Sequence, residues 1–307
     1  MRLPPRRLLY PPHWLAWLTI SIFWSLSHLP YRWQLPIGRW LGRQAPRVAT
    51  GVRHVTEVNL QLCFPDWTSH QRTHLLKNNF EACGISLMET AMGWWASDER
   101  LRSLFTIRGL EYLRAALRNG KGVILCSAHF LSMELAGRFL MMEIPFAAVY
   151  RPQKHPVLNW VSYRCRCRHY DRLLAHDDIR GVLAALRENQ VVWYTADIDP
   201  GRKRTGVFAP FFGVPAYTGT ALARLARVSG ANVVPGFPYR RKDGSGYDLV
   251  LGPPLDRFPS HDRTQDAARV NEIIEQAIGL HPDQYLWQYK RFKTRQPGAG
   301  KLYERPS

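Results

Sequence analysis

Apolar residues follow two different rhythms along this chain. From about Leu35 to Gly93 they recur at helical spacing, with few strand signals. Within that part, Asn59 to Asp66 ends one helix at a proline turn, and Thr68 caps another that runs toward Met88. After Phe105 short apolar runs alternate with helical stretches. The runs at 123–126, 146–150, 191–195, 233–237 and 247–251 predict strands. Helices are predicted near 111–117, 131–142, 179–187, 218–228 and 266–278. This alternation is the signature of an α/β fold with a mostly parallel central sheet flanked by helices. Residues 105–307 form its α/β core and 34–104 a helical part of the same domain. The stripe Leu87, Met88, Ala91, Met92, Trp94 and Trp95 reads either as core or as a lipid-facing or acyl-binding surface.

The amino end departs from both rhythms. No charged residue lies between Arg7 and Arg32, and residues 13–29 are mostly apolar. That is close to the minimum of about 17 residues for a membrane span. Trp14, Trp17, Trp24, Tyr31 and Trp33 suit an interfacial belt. A cleaved signal peptide competes poorly, because no small-x-small site follows the apolar run. A buried core helix is the bland alternative. Residues 1–33 are therefore expected to be an N-terminal membrane-anchoring helical extension. Arg39, Arg43, Arg47 and Arg53 follow it before the first acidic residue, Glu57, so the rest of the chain is expected to face the cytoplasm.

Charge adds a partner. The 307 residues hold 42 Lys plus Arg against 24 Asp plus Glu, a net +18, which calls for an anionic partner. The 46% apolar content excludes a disordered chain. Five cysteines without paired spacing imply free thiols in a reducing compartment and no zinc site.

Candidate chemistry centres on residues 122–138. A buried strand ends near Cys126, His129 follows, and Ser132 is a candidate N-cap for the next helix. His129 thus belongs at the carboxyl end of a strand, where open α/β sheets place their ligands. Glu134 lies five residues on. On a strand-to-helix turn it can accept the Nδ1 proton of His129 and leave Nε2 free as a general base. Alone, an H-x4-E pair is a weak signal, since a structural His at a helix start looks the same. Cys126 and Ser127 are possible acyl-accepting nucleophiles, although Cys126 reads better as a buried strand residue. The chain has no G-x-S-x-G elbow, no phosphate-binding G-x-x-x-x-G-K-[ST] and no G-x-G-x-x-G after a strand, so nucleotide chemistry is not expected.

Arginines gather after the second of these strands. Arg151 closes it, and Arg164, Arg166 and Arg168 follow; if helical, Arg164 and Arg168 share one face and Arg166 the other. These suit phosphate or carboxylate binding. Asp197 and Asp199 precede a second cluster, Arg202, Lys203 and Arg204. Two such carboxylates could ligate a metal; with no His or Glu completing a set, the pattern favours their orienting the basic residues around them.

Several blocks together carry a family resemblance: N-L-Q-L-C-F-P at 59–65, N-F-E at 79–81, L-M-E-T at 87–90, H-F-L-S-M-E at 129–134, V-Y-R-P at 149–152, V-V-W-Y at 191–194 and R-F-K-T-R at 291–295. With these the chain resembles the lipid A late acyltransferases, the lauroyl, palmitoleoyl and myristoyl transferases of lipopolysaccharide synthesis, within the wider glycerolipid acyltransferase superfamily. The resemblance places the family's H-x4-[DE] motif on His129 and Glu134 and its substrate-contacting Arg on Arg166. The E-G-T-R block of the glycerol-phosphate branch has no literal counterpart; 197–201 occupies roughly its place. The resemblance implies an acyl carrier protein thioester as donor, Kdo2-lipid IVA as acceptor, no cofactor and no metal, with a single anchor in the inner membrane. Laurate is the expected chain, because L-C-F-P and R-F-K-T-R sit nearest the lauroyl branch. The alternative is a membrane-anchored basic nucleic-acid-binding or scaffold protein without catalysis, for which no helix-turn-helix, RNP or zinc pattern speaks.

Overall fold

A computed structural model describes residues 4–304 of the chain. The amino-terminal third is helical: α1 (Trp14–Ser27), α2 (Tyr31–Val48), α3 (Thr50–Cys63), α4 (Ser69–Trp95) and α5 (Asp98–Arg102). The rest alternates as β1 (Phe105–Arg108), α6 (Leu110–Leu117), β2 (Val123–Ser127), α7 (Met133–Met141), β3 (Phe146–Tyr150), α8 (Pro156–Arg166), β4 (Arg172–Ala175), α9 (Ile179–Arg187) and β5 (Val191–Thr195). A hairpin follows, β6 (Gly206–Phe211) and β7 (Val214–Gly219), then α10 (Ala221–Ser229), β8 (Asn232–Arg240), β9 (Tyr247–Leu251) and α11 (Arg263–Leu280).

Seven strands form one sheet in the order β1-β9-β8-β2-β5-β3-β4. Every pairing in it is parallel except β8 with β9. That exception is a direct hairpin, closed by the turn at Gly244 and Gly246. The central strand β2 is buried at all five positions, as expected where helices cover both faces of a sheet. Ile124 and Cys126 pack toward the core built with α9, α10 and α11, whereas Val123 and Leu125 pack toward α6 and α7. Gly122 starts this strand at φ +69°, with the carbonyls of Leu186 and Gln190 so close that a Cβ would fall 2.5 and 2.9 Å from them.

Three sequence expectations need correction here. The first concerns the anchor. α1 has 14 residues, about 21 Å of helix, against a hydrocarbon core of about 30 Å. No helix among the described residues is long and apolar enough to cross a membrane. The apolar run is cut because Pro30 cannot continue α1 and instead leads into α2. The turn is then tied down: Arg100 donates to the carbonyls of Ser27 and Leu29, as does Gln34. α1 lies on the body of the protein, with Ile20 in a small core shared with Val157, Val161 and Cys165 of α8. Its outer face leaves Trp14, Leu15, Leu18, Ile22 and Trp24 exposed.

Second, Thr218 and Gly219 lie in β7 rather than in a helix. The β6–β7 hairpin turns on Phe212 and Gly213, both at positive φ, as a type I′ turn requires. Pro210 and Pro215 disguise these strands in the sequence. Third, the apolar stripe of α4 divides: Met88, Ala91 and Met92 are core, and Leu87 is exposed.

Within the helical part, α2 and α4 cross closely. A Cβ on Gly84 would lie 2.0 Å from the Gly38 carbonyl oxygen and 2.7 Å from the Gly42 Cα. Both neighbours are backbone, so no rotamer change can make room. Gly84→Ala is expected to cost about 2–3 kcal/mol, visible as a lowered midpoint in thermal unfolding. An unchanged midpoint would mean that the helices do not approach this closely.

Candidate active site

Strand register builds the centre of the site. β2 and β5 pair in parallel with Ser127 opposite Thr195, and the Ala196 N–H donates to the Ser127 carbonyl at 3.0 Å. His129 and Asp197 each lie two residues beyond that last pair, so they leave the sheet side by side at its carboxyl edge. The His129 Nδ1 lies 2.7 Å from Asp197 Oδ1, and the His129 backbone N–H donates to Asp197 Oδ2 at 3.0 Å. The hydroxyl of Tyr285 donates to the same Oδ2, also at 3.0 Å.

Burial works against ionised Asp197, but the facing His129 charge and the bonds from His129 and Tyr285 outweigh it and hold the carboxyl below its usual value. An ionised carboxylate only accepts, so the ring carries its proton on Nδ1 and Nε2 keeps a lone pair when neutral. Burial alone would lower the imidazole pKa; the Asp197 charge and hydrogen bond reverse this and raise it. The His129 side chain remains 22% exposed and Asp197 3%. A buried carboxylate thus backs a partly exposed imidazole.

Glu134 does not orient His129. It sits in the first turn of α7 and points toward α4 and α8, away from the strand ends. Arg166 grips it with two bonds, Nε to Oε1 at 2.9 Å and Nη2 to Oε2 at 2.6 Å. The Trp94 indole N–H adds a third, to Oε1 at 2.9 Å. Gly93 of α4 packs beside it, where a Cβ would make ordinary contact at 3.5 Å from the Glu134 Cγ. So the H-x4-E spacing joins two adjacent pairs, His129–Asp197 and Glu134–Arg166, by one short loop. The Arg166 pKa is raised, since the Glu134 charge and hydrogen bonds overcome the effect of burial.

Asp197 and Asp199 also depart from expectation, for neither orients the basic cluster after it. Asp199 accepts from the Gly201 N–H at 2.8 Å and from the Thr294 N–H and hydroxyl at 2.7 and 2.9 Å. It pins the 291–295 block beside the site. Among the described residues no three His, Cys, Asp or Glu side chains gather as a metal site would require. All five cysteines are free.

Arg164 and Arg168 lie on the opposite face of the α8 end from Arg166. They rim a cavity of about 180 Å³ whose walls include Trp17, Ile20, Trp24, Trp95 and Trp160. Arg151 is exposed directly after β3, at the same sheet edge as His129. Arg202, Lys203 and Arg204 are exposed beyond Asp199.

Cys126 and Ser127 are poor nucleophiles here. Cys126 is 1% exposed, and burial pushes its thiol up to about 12; the reactive species would be the thiolate. Ser127 is wholly buried. Sequence reasoning missed Trp94 and Tyr285 as members of the site. Asp197 carried a usable signal, its offset from a strand end matching that of His129.

A family model described as bacterial lipid A biosynthesis acyltransferase matches residues 5–294. The chain is 38% identical to the lipid A biosynthesis lauroyltransferase of Escherichia coli K12 over 297 residues, 96% of this chain and 97% of that one. It is 36% identical to the palmitoleoyltransferase of the same organism over 97% of both chains. Against the myristoyltransferase the identity is 30%, over 96% of this chain and 92% of the relative. A family model matched over residues 5–294 and relatives aligned along nearly the whole length mean that the chain belongs to the bacterial lipid A biosynthesis acyltransferases.

Proposed function

We propose that this acyltransferase moves a fatty acyl chain, laurate by preference, from an acyl carrier protein thioester to a hydroxyacyl hydroxyl of Kdo2-lipid IVA. The observation that carries the reading is the partly exposed His129 ring backed by buried Asp197. Nε2 of His129 takes the proton of the acceptor hydroxyl as its oxygen attacks the thioester carbonyl. The tetrahedral oxyanion collapses, the C–S bond breaks, and the carrier's thiolate takes the proton back from the imidazolium. No acyl-enzyme is formed, in keeping with buried Cys126 and Ser127.

Arg166, aligned by Glu134, faces the anionic part of the reactants. Its planar fork suits either a phosphate or the developing oxyanion. Arg151, Arg164, Arg168 and the 202–204 cluster supply positive charge for the acceptor's phosphates and the acidic carrier. The tryptophan-walled cavity takes part of an acyl chain, with Arg164 and Arg168 at its mouth. The exposed faces of α1 and α2, including Trp14, Trp24, Trp33 and Trp40, rest in the cytoplasmic interface of the inner membrane without spanning it.

The test mixes purified full-length protein with lauroyl-, myristoyl- and palmitoleoyl-acyl carrier protein and the tetraacyl acceptor, and reads the lipid by mass spectrometry. Gain of one acyl group, fastest with laurate, is the expected result. No gain with any of the three thioesters would reject the donor; faster gain with another chain would reject only laurate.

A further inference from the structure

The segment after α11 passes beneath the catalytic edge and is bonded to it on both sides. The Leu131 N–H donates to the Gln284 carbonyl at 2.9 Å, and the Leu286 N–H donates to the carbonyl of His129 itself at 3.0 Å. Phe130 and Tyr285 form an isolated antiparallel bridge between them. Two wholly buried asparagines of the helical part hold this strap from the other side. Asn79 Nδ2 donates to the carbonyls of Asp283 and Tyr285, both at 2.8 Å, and Asn59 Nδ2 to those of Trp287 and Tyr289 at 2.7 and 2.8 Å. Their own carbonyl oxygens accept from Gln288 and Tyr303 at 2.6 Å. Each amide is therefore locked in one orientation, and the strap's backbone is fixed at alternate residues. The side chain it delivers is Tyr285, 3% exposed, with its hydroxyl on Asp197.

We propose that Tyr285 is a positioning residue for acyl transfer, fixing the Asp197 carboxylate and through it the plane of His129, with Asn59 and Asn79 holding the strap that presents it. The inference rests on His129 acting as the base. A carboxylate that shares a lone pair with a phenol has less charge to offer the imidazolium. Removing the hydroxyl makes Asp197 more basic and strengthens its hold on protonated His129, so the imidazole pKa should rise. It also leaves Oδ2 held by the His129 backbone N–H alone, which loosens the carboxylate and lowers the fraction of enzyme with Nε2 aimed at substrate. The titratable and charged groups packed around this triad are Cys126 from β2, Cys63 from α3, and Tyr289 and Arg291 from the strap itself. Burial pushes both thiols and the Tyr289 phenol up. All four are unchanged between wild type and a Tyr285 variant, so they do not account for a difference between the two.

The experiment compares wild type, Tyr285→Phe and His129→Ala, full length, with lauroyl-acyl carrier protein and the tetraacyl acceptor across pH 5.5–9. Tyr285→Phe is expected to lower kcat about 10-fold, the worth of a hydrogen bond to a charged group, with KM unchanged and the acid limb moved to higher pH. In parallel, NMR of histidine-labelled protein follows the His129 ring, assigned by its loss in His129→Ala; its titration should move up in Tyr285→Phe. If Tyr285→Phe does not fold, Asn79→Ser slackens the strap without touching the pair, and the same upward shift, smaller, is expected. A variant with reduced thermal stability but an unmoved limb and an unmoved His129 titration would overturn the inference. Full activity in His129→Ala would instead overturn the general-base reading, and the NMR shift would still decide whether Tyr285 tunes this pair.

Discussion

His129→Ala is expected to lower acyl transfer at least about 10³-fold, because it removes the imidazole that Asp197 backs beyond the ends of β2 and β5. General-base contributions run to about 10²–10⁴-fold. Asp197→Asn should lose about 10²-fold or more: an amide can donate to Nδ1, favouring the tautomer with its proton on Nε2, where a base is needed. Cys126→Ala should keep most activity, and an acyl group trapped on that thiol would sink direct transfer. The pH profile adds an independent check. His129 must be neutral to act, and its pKa is raised, so the acid limb should lie above the ordinary histidine value of about 6.5. Stability runs the other way. A raised histidine pKa stabilises the fold fully below about 6.5 and loses that contribution as pH rises through the folded value. The depressed Asp197 pKa contributes above the ordinary value of 3.8 and loses its effect as pH falls through the folded value. The pair therefore supports the fold most between about 4 and 6.5, and the enzyme works where that support is declining. A titration of initial rate and of unfolding midpoint on the same preparation tests both signs.

What the chain reveals before folding is set by how local the determinants are. Strands 146–150, 191–195 and 247–251 are legible to the residue, because their apolar runs are bounded by polar or turn-forming residues. The edge strands β1 and β4 have four residues each and partial exposure, so no apolar run marks them. His129 is legible for the same local reason: it follows a buried strand and precedes a helix. Its carboxylate is not. Two carboxylates follow strand ends near it, Glu134 five residues from His129 along the chain and Asp197 sixty-eight. Only the pairing of β2 beside β5 chooses between them, and strand order is a property of the whole sheet. The same limit hid Tyr285, which the strap carries to the site from beyond the last helix. The amino-terminal run misled for a different reason. Its composition suits a bilayer, but Pro30 ends the helix too early, and one face is used against α4 and α8.

Glu134 supplies the sharper comparison, since its two possible partners predict different kinetics. Were it the anion behind His129, Glu134→Gln would shift the acid limb. Paired instead with Arg166 and Trp94, the substitution should leave the limb where it is and lower kcat/KM about 10²-fold. A glutamine offers one acceptor oxygen where Arg166 now uses two, and its amide hydrogens oppose the guanidinium. Arg166 is 19% exposed and Glu134 17%, so the pair is shielded enough for charge to matter and open enough for Arg166 to meet substrate. Arg166→Lys should recover little, because an ammonium cannot span both oxygens. Glu134→Ala joined to Arg166→Ala should be scarcely worse than either alone, since each single change already disables the unit. Two single losses that multiply in the double variant would show that Glu134 and Arg166 act separately. A limb that moves in Glu134→Gln would return the carboxylate to His129.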